Sequence, residues 1–143
     1  MEELFETFTV LIAKISRSIR RIKAEEMAEY DLKATHVNCL YYLYTVGELT
    51  AAELCERCEE DKAAISRSLE YLEANGYVAG EGRRYRSRLA LTEKGVRVAE
   101  SIIKKIDGVV EWASADVDGA DRAAMYRALA AISARLENRG EKQ

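Results

Sequence analysis

The 143-residue sequence predicts a mainly α fold with a small two- or three-stranded β wing, and three observations predict it. There is no proline and there are only eight glycines, too few turn residues for a sandwich or barrel. Apolar residues recur at helical spacing along both ends of the chain. Near the middle the helical period gives way to two short runs that read as strands. Apolar residues make up 48% and charged residues 33%, so the chain can bury a core without disulfides or metal.

Residues 2–29 read as one long helix. Phe5, Phe8, Ile12, Ile15, Ile19 and Ile22 alternate spacings of three and four, with Leu4 and Leu11 widening the seam. That seam is longer than a small domain covers, and a second copy of the chain is its simplest cover. Residues 34–46 form a second helix with Val37, Leu40, Leu43 and Tyr44 inward, ended by Gly47. Thr50-Ala51-Ala52-Glu53 is a capping box that starts a short helix to Cys58. Glu59-Glu60-Asp61 is a tight polar turn in which Asp61 caps the next helix, 62–75, with Ile65, Leu69 and Leu72 inward. Asn75-Gly76 closes it. Residues 77–79 and 88–91 read as strands around the loop 80–87. Val96, Ala99, Ile102, Ile103, Ile106, Val109 and Val110 mark a further helix, within which Trp112 is expected to pack. Residues 116–121 break the pattern. Met125, Leu129, Ile132 and Leu136 form a last helix, and 138–143 should fray.

Two short helices joined by a tight turn and followed by a hairpin make a winged helix-turn-helix. Its second helix suits the DNA major groove. The outward face of that helix is Lys62, Ala63, Ser66 and Arg67, where small residues beside one arginine allow close approach to base edges. The hairpin carries Arg83, Arg84, Arg86 and Arg88, placed for phosphates or a narrow minor groove. The net charge is −3, yet residues 62–94 hold seven Lys/Arg against four Asp/Glu, so the basic charge is local. Double-stranded DNA is the expected partner.

The stretches Leu32–Leu43, LTAAELCER (49–57), DKAAISRSLEYLEANGYV (61–78) and LALTEKG (89–95) resemble the MarR family, the multiple antibiotic resistance regulators. The resemblance implies helices 1–30 and 96–138 that form a homodimer, and a DNA-binding lobe, 31–95, that binds a palindromic operator. It also implies repression, with release by a small molecule or by oxidation. Two departures stand out. The family turn usually carries Gly and an apolar residue where this chain has Glu59-Glu60, and the short wing lacks the family's Asp-x-Arg pair.

In this family effectors bind between the dimerisation helices and the DNA-binding lobe. Ser16, Arg20, Tyr30, His36 and Tyr41 are the residues here that suit such a pocket, with Arg20 able to pair with an aromatic acid or drug-like ligand. His36-x-x-Cys39 and Cys55-x-x-Cys58 each place two zinc-type ligands one helical turn apart, but the same positions suit small core hydrophobes. No metal and no cofactor is expected; a zinc- or redox-responsive regulator is an alternative. So is a protein–protein adaptor, supported by Glu53, Glu56, Glu59, Glu60 and Asp61. No nucleophile–base pair, phosphate-cradling loop or carboxylate pair points to an enzyme. With no long apolar run, residence in the cytoplasm is expected, with no membrane partner.

Overall fold

The computed structural model describes residues 2–80 and 87–141. It divides into two compact units, Met1–Ile106 and Asp107–Gln143. The order is α1 (Glu2–Phe5), a π-helical stretch (Glu6–Leu11), α2 (Ile12–Met27), a 3-10 turn (Ala28–Tyr30), α3 (Ala34–Thr45), β1 (Leu49–Thr50), α4 (Ala51–Cys58) and α5 (Lys62–Ala74). It continues with β2 (Val78–Gly80), β3 (Arg88–Leu91), α6 (Glu93–Ala113) and α7 (Gly119–Glu141). This is the mainly α winged-helix architecture that the sequence predicts.

The expected N-terminal helix runs through α1, the π stretch and α2 without a break, and its seam divides. Met27 is fully buried and Ile12, Ile19 and Ile22 are half-buried, whereas Leu4, Phe5, Phe8, Leu11 and Ile15 stay exposed. The rod ends where Asp31 adopts a left-handed backbone, φ 56°.

The core lies among α3, α4, α5, the sheet and the first half of α6. Leu40, Leu49, Leu54, Ile65 and Leu72 are its fully buried side chains, joined by Met27 and Cys39. The capping box at Thr50 is present in both directions: Glu53 N donates to Thr50 Oγ1 at 3.1 Å, and Thr50 N donates to Glu53 Oε1 at 3.3 Å. The sheet has the order β1-β3-β2, all antiparallel, with Leu49 opposite Leu89 and Val78 opposite Leu91. The sheet has the third strand that the predicted wing allows, and the sequence pattern does not mark its place at Leu49–Thr50. Two residues show no alternation, and their pairing to β3 comes from the fold.

The segment Leu-Thr-Glu-Lys-Gly closes the lobe. Thr92 Oγ1 donates to Gly76 O at 2.6 Å and accepts from Gly95 N at 3.0 Å. Lys94 Nζ donates to Asn75 O at 2.7 Å and lies over the Tyr77 ring. A Cβ at position 95 would collide with the Tyr77 carbonyl oxygen, so this position requires glycine. Within the same unit, α6 meets the end of the N-terminal rod. Tyr30 Oη and Ser101 Oγ share a hydrogen bond of 2.9 Å, and Lys105 pairs with Glu29 at 3.0 Å.

Three expectations are corrected. Tyr44 is exposed rather than inward: Leu43 takes the core position, and the Tyr44 hydroxyl donates to Glu100 Oε1 at 3.2 Å. Trp112 is 80% exposed rather than packed. The helix α7, capped where Asp118 Oδ2 accepts from Ala120 N, continues through 138–141 instead of fraying there. Its apolar seam stops at Leu136, and Glu137, Arg139 and Glu141 favour continuation of the helix although Asn138 and Gly140 do not.

Candidate nucleic-acid interface

The turn between α4 and α5 is built by its three acids. Glu59 takes a left-handed conformation, φ 54°, where the chain must reverse. Glu60 N donates to Cys55 O at 3.1 Å, and the Glu60 carboxylate accepts from Thr35 Oγ1 at 3.5 Å. Asp61 Oδ1 accepts from Ala64 N at 2.7 Å and caps α5. Two of the three acids are therefore occupied with holding the turn.

From that turn α5 buries Ile65, Ser68, Leu69 and Leu72. The opposite face, with Lys62, Ala63, Ser66 and Arg67, is exposed, as the helical period requires. All four expected recognition residues thus share one solvent-facing surface. Of the four wing arginines, Arg88 is described: it starts β3, is exposed, and donates from a guanidinium nitrogen to Glu48 O at 3.2 Å. Arg83, Arg84 and Arg86 lie outside the described residues.

The other end of α5 is held by a residue the sequence did not single out. The Tyr71 hydroxyl donates to Asp31 O at 2.6 Å, and its ring stacks on His36 with centroids 4.4 Å apart. The only sequence signal is an aromatic flanking the Leu69 and Leu72 seam. His36 is buried, and its Nδ1 accepts from Lys33 N at 2.9 Å, which caps α3. Burial first, and then the Lys33 charge, hold the His36 pKa below 6.5.

The five residues considered for an effector site have different surroundings. Ser16 and Arg20 are exposed one turn apart on α2. Tyr30 is bonded to Ser101, His36 is committed to Lys33 and Tyr71, and Tyr41 sits edge-on to Tyr42. The cysteines do converge. Cys39 lies in the core, and Cys55 and Cys58 pack against it. The neighbouring Cys58 and then burial push the Cys39 pKa up, while Cys39 draws that of Cys58 down against its own burial and the Glu60 charge. Among the described residues, no group of three or more His, Cys, Asp and Glu side chains is placed to hold a metal ion. No described helix is long and apolar enough to cross a membrane.

Residues 30–87, which span the lobe from the end of the rod to the start of β3, match the model of the MarR family. Over these residues the chain is similar to the MarR family. The MarR fold extends well beyond the matched segment. A MarR family protein from Bacillus stearothermophilus superposes with a TM-score of 0.82 over 96% of this chain and 98% of its own, at 20% identity. A MarR family transcriptional regulator from Silicibacter pomeroyi gives 0.81 over 94% of each chain, at 21% identity. MepR of Staphylococcus aureus, in a structure of its complex with DNA, gives 0.73 over 92% of this chain and 97% of its own, at 18% identity. No curated protein matches the sequence.

Proposed function

We propose that this chain is a member of the MarR family and a dimeric, sequence-specific DNA-binding regulator that represses from a palindromic operator and is released by a small-molecule effector. The observation that carries the reading is α5. Its apolar face is anchored by Ile65, Leu69 and Leu72, while Lys62, Ala63, Ser66 and Arg67 form an exposed face free of bulky apolar side chains. Such a helix can enter a major groove, with Arg67 reading a base and Lys62 and Ser66 reaching bases or phosphates. Arg83, Arg84, Arg86 and Arg88 would hold flanking backbone or minor groove. The DNA complex of the similarly folded MepR supports this reading. Exposed Leu4, Phe5, Phe8, Leu11 and Ile15 support a second copy as the cover of the N-terminal rod.

The test is selection from random duplexes by the purified protein at two salt concentrations, with sequencing of the retained pool. An enriched palindrome with half-sites about one helical turn apart is the expected result. Retention without enrichment would reduce the reading to phosphate contact. No retention at either salt would favour the adaptor alternative, for which exposed Glu56 and Glu59 beside the turn are the starting point. Effector release is then tested on the enriched operator. If no candidate ligand changes operator affinity, that part of the proposal fails.

A further inference from the structure

The polar groups around Tyr71 lie away from the DNA-facing end of α5, yet they join that helix to the N-terminal rod. Asp31 ends the rod with a left-handed backbone, and the amides there turn back onto it: Asp31 N donates to Ala28 O and Leu32 N to Met27 O, each at 3.2 Å. This is the Schellman pattern, and it holds the Asp31 carbonyl in a fixed direction. That carbonyl accepts the Tyr71 hydroxyl at 2.6 Å, with Asp31 Oδ2 3.4 Å from the same hydroxyl. Across the joint His36, in the first turn of α3, stacks on the Tyr71 ring with the planes 12° apart. Its own ring is fixed by the bond from Lys33 N to Nδ1. One side chain of α5 is thus gripped by the residue that ends the rod and by the helix that follows it.

The apolar anchors Ile65, Leu69 and Leu72 hold α5 down, but apolar contact has no direction. A hydrogen bond does, and this one is short. Tyr71 stands four residues after Arg67, on the same row of the helix, so what fixes Tyr71 also fixes the roll that presents Arg67. We propose that Tyr71 is a positioning residue for operator recognition: clamped to the Asp31 carbonyl and the His36 ring, it sets the direction of α5 against the rod and so the half-site spacing that the dimer accepts. Lys62 lies about 13 Å from Tyr71 along α5, so a change of roughly 10° in the helix direction moves Lys62 by about 2 Å relative to that end. Two recognition helices related by a two-fold axis then change their separation by about 4 Å, close to the roughly 3.4 Å of one base pair. A small change in the clamp is therefore read as a change of spacer, with no change in the bases that Arg67 and its neighbours contact.

The effect on spacing rests on the proposed function; the clamp itself does not. Spin-labelled unnatural residues in place of Arg17 and Glu70, exposed on the rod and on α5, report the distance between the two within one chain when labelled protein is diluted with unlabelled. Tyr71→Phe keeps the ring and its stack, and should broaden that distance distribution. Tyr44→Phe loses a different hydroxyl bond, from α3 to Glu100 of α6, and should leave it unchanged. An unchanged width in Tyr71→Phe, or equal broadening in Tyr44→Phe, would overturn the clamp. Full-length protein is then selected on palindromes whose spacers differ by one base pair. Wild type should favour one spacer, and Tyr71→Phe should flatten that preference about fivefold, the worth of one net hydrogen bond, with the half-site sequence unchanged. Equal weakening on every spacer would reduce Tyr71 to a structural role and overturn its part in spacing. A wild type that enriches no half-site would count against the proposed function, and the spacing role would fall with it, while the distances still decide the clamp.

Discussion

The winged-helix lobe and the N-terminal rod use the same apolar residue types and treat them in opposite ways. In the lobe, Leu40, Leu54, Ile65 and Leu72 are sealed from solvent on three helices that face one another. In the rod, Phe5 is 65% exposed and Ile15 60%, although both belong to a seam as regular as any in the lobe. The difference teaches that periodicity reports a face to be buried but not what buries it. The lobe closes on itself. The rod buries Met27 at its end and leaves its first turns for another surface, and α7 likewise leaves Met125, Tyr126, Leu129, Ile132 and Leu136 exposed.

The largest effect expected from this contrast is in the lobe. Leu54→Ala removes a fully buried side chain of α4 and should destabilise the chain by about 2–5 kcal/mol, measured by urea unfolding. The equivalent loss in the rod should act on assembly instead. Phe5→Glu with Phe8→Glu should lower the mass in light scattering from two chains to one, while near-UV dichroism of the lobe is retained. A mutant that stays dimeric would remove the rod from the interface.

The DNA-facing surface offers a sharper division. Arg67→Ala should cost about 1–3 kcal/mol of operator binding and relax preference at one base position. Arg84→Ala with Arg86→Ala should weaken operator and random duplexes alike and flatten the salt dependence. Equal losses on both DNAs for Arg67→Ala would remove its base-reading role.

Much of this was legible because local chemistry decides it. Thr50 and Glu53 cap reciprocally, Asp61 caps α5, and the inward set Ile65, Leu69 and Leu72 is buried as its spacing demands. What escaped depends on contacts distant in sequence. The strand β1 exists through its pairing with Leu89, and Tyr71 matters through Asp31, 40 residues away. Tyr44 sits on the apolar spacing of α3, but Glu100 of α6 draws its hydroxyl to the surface. The spacing of His36 to Cys39 suits a metal ligand or a core residue alike; the structure buries His36 and turns its Nδ1 to the Lys33 amide.

That turn of His36 has a pH consequence in the lobe that the rod should not share. Protonation would remove the Nδ1 acceptor and place a charge in a buried site beside Lys33. With the folded pKa lowered, the contribution is fully present above pH 6.5, the unfolded value, and is lost as pH falls towards and through the folded one. Thermal unfolding at pH 7.5 and pH 5 should therefore show a larger drop for wild type than for His36→Gln, whose amide oxygen accepts without titrating. Parallel drops would mean that the α3 cap does not depend on the protonation state of His36.

The smallest expected effect lies at the joint between the lobe's core and its DNA-facing surface. Glu59 holds a left-handed backbone that costs a residue with a Cβ roughly 1–2 kcal/mol, part of which glycine gives back through its freer unfolded chain. Its side chain is exposed, so little packing is lost by removing it. Glu59→Gly should raise stability by about 0.5–1 kcal/mol and, by deleting a negative charge beside α5, also strengthen DNA binding at low salt. The two consequences separate cleanly, because added salt screens the second and leaves the first. If stability rises and DNA binding does not, the Glu59 charge is remote from the phosphates. If stability falls, the carboxylate makes a contact that outweighs its backbone strain.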